Sequence, residues 1–130
     1  MVLISIVPMP YKRGDIIWVY FSLPYERGYT KEHPAVIISN DQVYDHDDMY
    51  IIVMITTSPR TDRYSFHLKD NMLTGKMPKE NSQARTHLIS YLTEQQIVTD
   101  RKVISSLKKD YVDRLVERIN ITSIIADEDL

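Results

Sequence analysis

The 130-residue chain contains no cysteine and only three glycines. Without cysteine there is no disulfide framework, no thiolate metal site and no cysteine nucleophile. The glycine-rich loops that hold phosphates are absent, because neither GxGxxG nor GxxxxGK[ST] occurs. The four histidines are widely spaced and form no metal motif such as HExxH; they are His33, His46, His67 and His87. We therefore expect a protein without a metal or another cofactor.

Long apolar runs are absent as well. No segment approaches the roughly 20 apolar residues of a membrane-spanning helix, so we expect no membrane association. The apolar start at residues 1–7 has no preceding basic residue and leads into two prolines, which favours a β-prone N-terminal arm (1–11) over a signal peptide. Hydrophobic residues make up 43% and charged residues 26%, as in ordinary globular proteins. We expect a single cytoplasmic domain spanning 1–130.

Charge is unevenly distributed along the chain. The net charge of −2 gives no bulk attraction for nucleic acid. Residues 41–50 carry four aspartates and no lysine or arginine, which predicts a solvated acidic loop. Residues 59–87 and residues 101–126 each carry six lysines or arginines against three acidic residues, a local excess of +3. Such surfaces can bind phosphate groups, although scattered solvated charge is the alternative interpretation.

Hydrophobic periodicity predicts a mainly β chain that ends in a helix. Five segments have the composition or alternation of strands: 14–23, 34–39, 50–57, 63–69 and 82–92. The sequence of residues 93–100, TEQQIVTD, predicts a short helical turn. Apolar residues then recur every four positions over 106–125, which predicts an amphipathic helix with Ser106 as its N-cap. The acidic tail 126–130 is expected to fray.

This layout favours a small, strongly bent antiparallel sheet or barrel with one helix packed against it. Within the last strand, Arg85 and His87 are two residues apart, so alternation places both on the same face. The pair is either an ordinary solvated strand surface or an acid–base site. Trp18 is interpreted as core or dimer packing rather than as a platform for a nucleobase.

Four stretches, "KRGDIIWVYF", "GYTKEHPAVIIS", "VMITTS" and "SQARTHLI", occur in an order and spacing that resemble the MazF/PemK toxins of bacterial toxin–antitoxin pairs. The resemblance covers about residues 12–125. It implies a small SH3-like antiparallel β-barrel with a C-terminal α-helix that forms a homodimer. It also implies a metal-independent endoribonuclease that cleaves single-stranded RNA and binds a cognate antitoxin. Because the same fold also hosts gyrase poisons, fold alone does not settle function.

The resemblance suggests particular site residues. Arg85 and His87 stand where related toxins place an arginine and an acid–base carboxylate, and Thr56 matches the threonine that ends the third strand. His33 replaces the arginine that most members carry before proline. Arginine suits phosphate oxygens, so Arg85 is assigned to the phosphoryl group. Histidine exchanges protons near neutrality, so His87 is predicted as base and His33 as acid, with the reverse order left open.

Substrate binding is assigned to polar and basic residues around this trio: Thr56, Thr57, Ser82, Lys76, Lys79 and Arg60. Each has a structural alternative, since His33 can be a simple loop residue and the threonines can be ordinary strand formers. The alternative function is a non-catalytic barrel that binds a partner protein or nucleic acid.

Overall fold

The computed structural model describes residues 11–126, and the strands within that range form one antiparallel sheet in the order β4-β5-β3-β2-β1-β6. The strands are β1 (Asp15–Phe21), β2 (Lys31–Ile37), β3 (Met49–Thr57), β4 (Ser65–His67), β5 (Ser82–Thr93) and β6 (Ser105–Ser106). Two α-helices, α1 (Asp41–Asp47) and α2 (Lys109–Ile119), accompany the sheet, and a π-helical turn (Asn120–Ile124) follows α2. Short 3₁₀ turns occupy Pro24–Glu26, Asp70–Met72 and Glu94–Gln96.

Strand alternation divides the interior into two clusters. On one face of the sheet, Ile16, Val36 and Val53 belong to a cluster that includes Val112 and Leu115 of α2. Their sequence neighbours point the other way into a second cluster, which contains Ile17, Ala35, Ile37, Ile52, Met54, Leu92 and Ile97. A bridge between Val19 and Ile97 draws the segment after β5 across β1. The predicted small SH3-like barrel with a C-terminal helix is confirmed.

The five predicted strands and the turn within 93–100 are all present, but the start of the predicted helix is wrong. Helix α2 begins at Lys109, with Lys108 in the N-cap position. Ser106 lies instead in β6, and its hydroxyl donates a 2.7 Å hydrogen bond to Asp15 Oδ1 in β1. Sheet pairing therefore uses the hydroxyl that the sequence pattern assigned to a helix cap.

The acidic stretch after β2 is helical, so its prediction as a loop is wrong. Asn40 caps α1, because its Oδ1 accepts hydrogen bonds from the N–H groups of Gln42 and Val43. Tyr44 then stacks on Tyr50 of β3, with ring centroids 5.3 Å apart. Capping and aromatic packing together stabilise a helix whose charged surface hides its periodicity.

Strand β5 is irregular at the positions of greatest interest. Val53 pairs with Ile89 and Ile55 pairs with Ala84, so residues 85–88 lie opposite Met54 alone. Such bulges redirect side chains locally. No helix among residues 11–126 is long and apolar enough to span a membrane. Most of the predicted N-terminal arm and acidic tail, 1–10 and 127–130, lies outside the described residues.

Candidate active site

A cleft of about 310 Å³ opens where the ends of β2 and β3 meet the start of β5. It brings together five of the residues assigned from the sequence: His33, Thr56, Thr57, Lys79 and Ser82. The other residues that line it are Trp18, Tyr25, Glu32, Pro34, Ile55, Met77 and Pro78. The cleft thus combines hydroxyl groups, an imidazole and an ammonium group on an aromatic and apolar floor.

His33 is held by a carboxylate that sequence reasoning missed. Its Nε2 lies 2.8 Å from Glu26 Oε1, and the same oxygen accepts a 2.7 Å hydrogen bond from the Leu23 N–H. The Glu26 side chain is only 7% exposed. Burial opposes its ionisation, but the hydrogen bonds from Leu23 and His33 and the charge of Lys31 keep its pKa below the ordinary value. Glu26 is therefore ionised near neutrality.

This contact determines how His33 can act. With its Nε2–H donated to Glu26, the ring keeps Nδ1 for proton exchange with a substrate. The backbone fixes the ring's position, since His33 pairs with Val19 in the sheet and precedes Pro34. A sequence signal for this turn existed, since Pro24 stands at the first position of the 3₁₀ turn and Glu26 at the third. Glu26 accepts from the N–H of Leu23, which is one half of a capping box.

The far wall of the cleft is built by pairing between β3 and β5. Thr56 pairs with Gln83 and Thr57 pairs with Ser82. The Ser82 hydroxyl donates a 2.9 Å hydrogen bond to the Lys79 carbonyl, so it fixes the turn that carries Lys79. The Lys79 side chain is exposed and has no ion pair within the described part of the chain. Lys79 is thus a cation available to a bound anion.

Arg85 does not line this cleft. Its side chain is 9% exposed, and its two terminal nitrogens each donate a 2.9 Å hydrogen bond to one carboxylate oxygen of Asp62. One of them also donates to Ser65 Oγ at 3.2 Å and to Gln83 Oε1 at 2.8 Å. The hydrogen bond from Arg85 holds the pKa of Asp62 far below its usual range. Arg85 therefore anchors the segment 58–64 over β5.

His87 does not line the cleft either, and it is more exposed than Arg85. His87 is exposed, and its ring lies 4.2 Å from that of Tyr64. Partial burial and the positive charge of Arg85 lower its pKa. The imidazole is consequently neutral near pH 7, which is the form that accepts a proton.

Tyr25 interacts electrostatically with the residues around His33 and with those around Arg85. Burial and the charge of Glu26 raise its pKa, whereas the charge of Arg85 lowers it. The Tyr25 phenol is therefore within electrostatic range of both Glu26 and Arg85.

The remaining predicted residues lie at the edges. Arg60 is exposed, 3.3 Å from Asp62, and Lys76 lies in an adjoining cleft rather than in this one. Trp18 is half-buried and lines the cleft wall, so it is not simply a core residue. Among residues 11–126, no group of three or more His, Asp or Glu side chains is placed to hold a metal ion.

The fold is a small antiparallel barrel with a C-terminal helix. A histidine, hydroxyl groups and a lysine line a cleft at the ends of its strands. Residues 12–122 match the family model described as PemK-like, MazF-like toxin of type II toxin–antitoxin system. The chain belongs to this family. No curated protein sequence matches it.

Solved structures share the fold at low sequence identity. MazF from Deinococcus radiodurans is 10% identical, with a TM-score of 0.63 over 85% of this chain and 93% of that one. An endoribonuclease in complex with its cognate antitoxin, from a mycobacterial species, is 15% identical, with a TM-score of 0.61 over 85% and 91%. A MazE–MazF complex from Deinococcus radiodurans is 9% identical, with a TM-score of 0.63 over 85% and 92%.

Proposed function

We propose that this protein is the toxin of a toxin–antitoxin pair and that it cleaves single-stranded RNA without a metal ion. The products are a 2′,3′-cyclic phosphate and a 5′-hydroxyl. The observation that carries the proposal is the His33–Glu26 pair at 2.8 Å beside a cleft that also holds Thr56 and Lys79. Family membership supports it, as does the fold shared with the mycobacterial endoribonuclease.

The chemistry needs three contributions. A base removes the proton from the ribose 2′-hydroxyl, which then attacks the adjacent phosphorus, and an acid protonates the departing 5′-oxygen. His87, neutral near pH 7, serves as the base and His33 as the acid, and each histidine is chemically able to take the other role. Lys79 and the Thr56 hydroxyl stabilise the charge that develops on the phosphorane.

Arg85 is the third group assigned from the family resemblance. Its terminal nitrogens are bound to Asp62, Ser65 and Gln83, so direct contact with a phosphoryl oxygen requires Asp62 to move away. Without that movement, Arg85 supports the site by its positive charge and by holding the segment 58–64 in place. The variant Asp62→Asn, which removes the negative charge beside Arg85, distinguishes these two roles.

The test is cleavage of a single-stranded RNA oligonucleotide in EDTA, followed by analysis of the product ends. We expect a cyclic phosphate and a 5′-hydroxyl, and a loss of about 10²–10⁴ in rate for His33→Ala, the usual contribution of general acid–base catalysis. His46→Ala is the matched control, because His46 is exposed on α1 and does not line the cleft. A requirement for divalent ions, or a 5′-phosphate on the product, contradicts the proposal.

A second candidate is a barrel that binds RNA or a partner protein without cutting. The engagement of Arg85 by Asp62 favours it, because a residue expected at the phosphoryl group is occupied. The same assay decides: retained RNA binding with no cleavage by wild type supports this candidate. In either case we propose a cognate antitoxin as partner and a homodimer as the assembly, in line with the family.

A further inference from the structure

A second cleft, of about 360 Å³, adjoins the candidate active site. Six residues line it: Trp18, Lys76, Pro78, Arg101, Lys102 and Ile104. Trp18 and Pro78 also line the first cleft, so the two clefts share a wall. Three of the six lining residues are cationic and none is acidic, which favours an anionic occupant.

The planar guanidinium of Arg101 lines this second cleft and lies over the ring of Trp18. The guanidinium carbon of Arg101 is 3.7 Å from the centroid of the Trp18 ring, and its NH1 donates a 3.0 Å hydrogen bond to Glu32 Oε1. Glu32 precedes His33 in β2 and lines the first cleft. The Arg101 side chain is 43% exposed even so. The guanidinium is thus fixed on an aromatic ring while much of it faces solvent.

Two lysines complete the second cleft. Lys76 and Lys102 are exposed, and neither forms an ion pair within residues 11–126. The Gly75 N–H donates a 3.0 Å hydrogen bond to Ser105 Oγ, which joins the two chain segments that carry these lysines. The Ile104 N–H donates a 2.8 Å hydrogen bond to the Ile16 carbonyl, which attaches the second segment to β1. The backbone near each lysine is therefore fixed, while the exposed side chains can adjust to a bound phosphate.

We propose that the second cleft is a nucleotide subsite, which binds the RNA nucleotide next to the one in the candidate active site. Its base stacks on the Arg101–Trp18 pair, and Lys76 and Lys102 contact the flanking phosphates. Nucleobases commonly stack on guanidinium and aromatic planes, and phosphates need cations close by. An acidic peptide would use the lysines but, lacking a planar ring, would leave the stacking surface empty. The inference rests on the proposed RNA substrate and deepens it.

The single tryptophan of the chain makes this subsite directly observable, because Trp18 is the only source of tryptophan fluorescence. The probe is a short single-stranded RNA with 2′-O-methyl groups throughout, which binds but cannot be cut. We expect saturable quenching of Trp18 fluorescence that follows the anisotropy of a dye on the same oligonucleotide. Arg101→Gln is expected to weaken binding about 5- to 100-fold, the usual contribution of one stacked base.

The matched control is Arg114→Gln. Arg114 also lies over an aromatic ring, 4.9 Å from the centroid of Tyr111 on α2, but it lines neither cleft. Binding by this variant should equal that of wild type. Lys102→Ala, an exposed substitution that should leave the fold intact, is expected to reduce the salt dependence of binding by about one phosphate contact.

Because the oligonucleotide is uncleavable, binding and catalysis are scored separately. If the oligonucleotide quenches Trp18 fluorescence but wild type does not cleave ordinary RNA, the subsite is supported and the proposed endoribonuclease activity is refuted. Binding without any change in Trp18 fluorescence overturns the subsite, as does an Arg101→Gln variant that binds as tightly as wild type. Quenching by a poly-glutamate peptide but not by the oligonucleotide assigns the cleft to a protein partner and likewise overturns it.

Discussion

At the scale of single residues, the contact between His33 and Glu26 concentrates the chemistry of the candidate active site. The two side chains are seven positions apart and meet at 2.8 Å because a 3₁₀ turn and a reversal at Arg27 and Gly28 fold the chain back into β2. A buried carboxylate with one backbone donor and one imidazole donor is well satisfied. It favours the tautomer of His33 that carries its proton on Nε2 and holds the ring in one orientation.

Glu26→Gln is the first prediction. The amide oxygen can still accept from the Leu23 N–H, but the amide can also turn its NH2 group towards His33, so the ring is no longer held in one tautomer. We expect kcat to fall about 10- to 10²-fold, a part of the usual contribution of about 10²–10⁴ from general acid–base catalysis. The measurement is single-turnover cleavage, with unfolding in urea as the control for stability. A wild-type kcat in a variant that folds normally would contradict this role for Glu26.

The second prediction concerns His87. Burial against Tyr64 and the charge of Arg85 lower its pKa in the folded protein. The unfolded chain therefore binds the proton more readily. The stability contributed by neutral His87 is fully present above the unfolded pKa, about 6.5, and is lost as pH falls through the lower folded value. NMR titration should place His87 below 6.5, and Tyr64→Ala should raise its pKa. Titration of wild-type His87 at or above 6.5 would refute the prediction.

At the scale of chain elements, the segment 58–64 is fixed by ionic and amide contacts. Arg85 binds both oxygens of Asp62, and the Gln83 amide donates 2.9 Å hydrogen bonds to the carbonyls of Ser58 and Arg60. The segment is thus bound to β5 through polar side chains of the strand rather than through a continuous ladder.

The third prediction uses Asp62→Asn to distinguish two roles of Arg85: direct contact with a phosphate, and support of the segment 58–64. Wild type should lose stability on acidification below the unfolded aspartate pKa, about 3.9, because the folded pKa is depressed; the variant should lack that component. We expect a less stable protein whose RNA affinity is unchanged or lower, since the segment 58–64 loosens. Tighter RNA binding by the variant would instead show that Asp62 competes with phosphate for Arg85.

The fourth prediction tests how β1 begins. Gly14 has φ +98°, and a Cβ there would lie 2.5 Å from the Leu107 carbonyl oxygen. Gly14→Ala should therefore lower the free energy of unfolding by about 1–3 kcal/mol, the usual cost of a strained backbone. Gly75→Ala is the control, because the nearest atom to its added Cβ is Ser105 Oγ at 3.8 Å. Equal stability of the two variants in urea would contradict the argument.

Local pattern was sufficient to find five strands and the body of α2, because runs of β-prone residues between turn formers and an apolar repeat of four are visible in the sequence. It did not find the start of α2, because the Ser106 hydroxyl binds Asp15 in β1. It failed for α1, where stabilisation comes from the Asn40 cap and from Tyr44 packing on a residue of another strand. It did not show that Arg85 is buried against Asp62 whereas His87 is exposed beside Tyr64, because both contacts come from the segment 58–64 and not from β5 itself. The partnership of His33 with Glu26 depends on a turn that brings distant positions together, which periodicity does not report.

At the scale of the whole molecule, the large apolar side chains of β1 do not support a dimer, because most of them are used inside one chain. Ile16, Ile17 and Val19 are fully or almost fully buried within one chain. In β1 only Tyr20 is among the exposed large apolar side chains of the described residues; the others are Tyr25, Tyr29, Tyr91, Val103, Ile124 and Ile125. The homodimer prediction therefore rests on family membership, and light scattering at micromolar concentration tests it.

The segment between β4 and β5 joins the two clefts and offers cations to each of them. Lys76 lies in the second cleft and Lys79 in the first. Leu73 is buried and Met72 packs against the core, so neither is available as an apolar anchor for an antitoxin. Met77 also packs against the core, but unlike Met72 it lines the first cleft together with Pro78, so these two residues supply the apolar surface of the segment there. RNA binding should therefore depend on the lysines more strongly than antitoxin binding does.

Lys76→Glu combined with Lys79→Glu is the fifth prediction. We expect RNA affinity to fall steeply and its dependence on salt to weaken, because about two phosphate contacts no longer release counterions. Antitoxin affinity should fall less, since apolar contacts are insensitive to ionic strength. The measurement is a pair of titrations at two salt concentrations for wild type and the double variant. Equal RNA affinity at low salt would move the RNA path away from this segment, towards the basic start of α2 at Lys108 and Lys109.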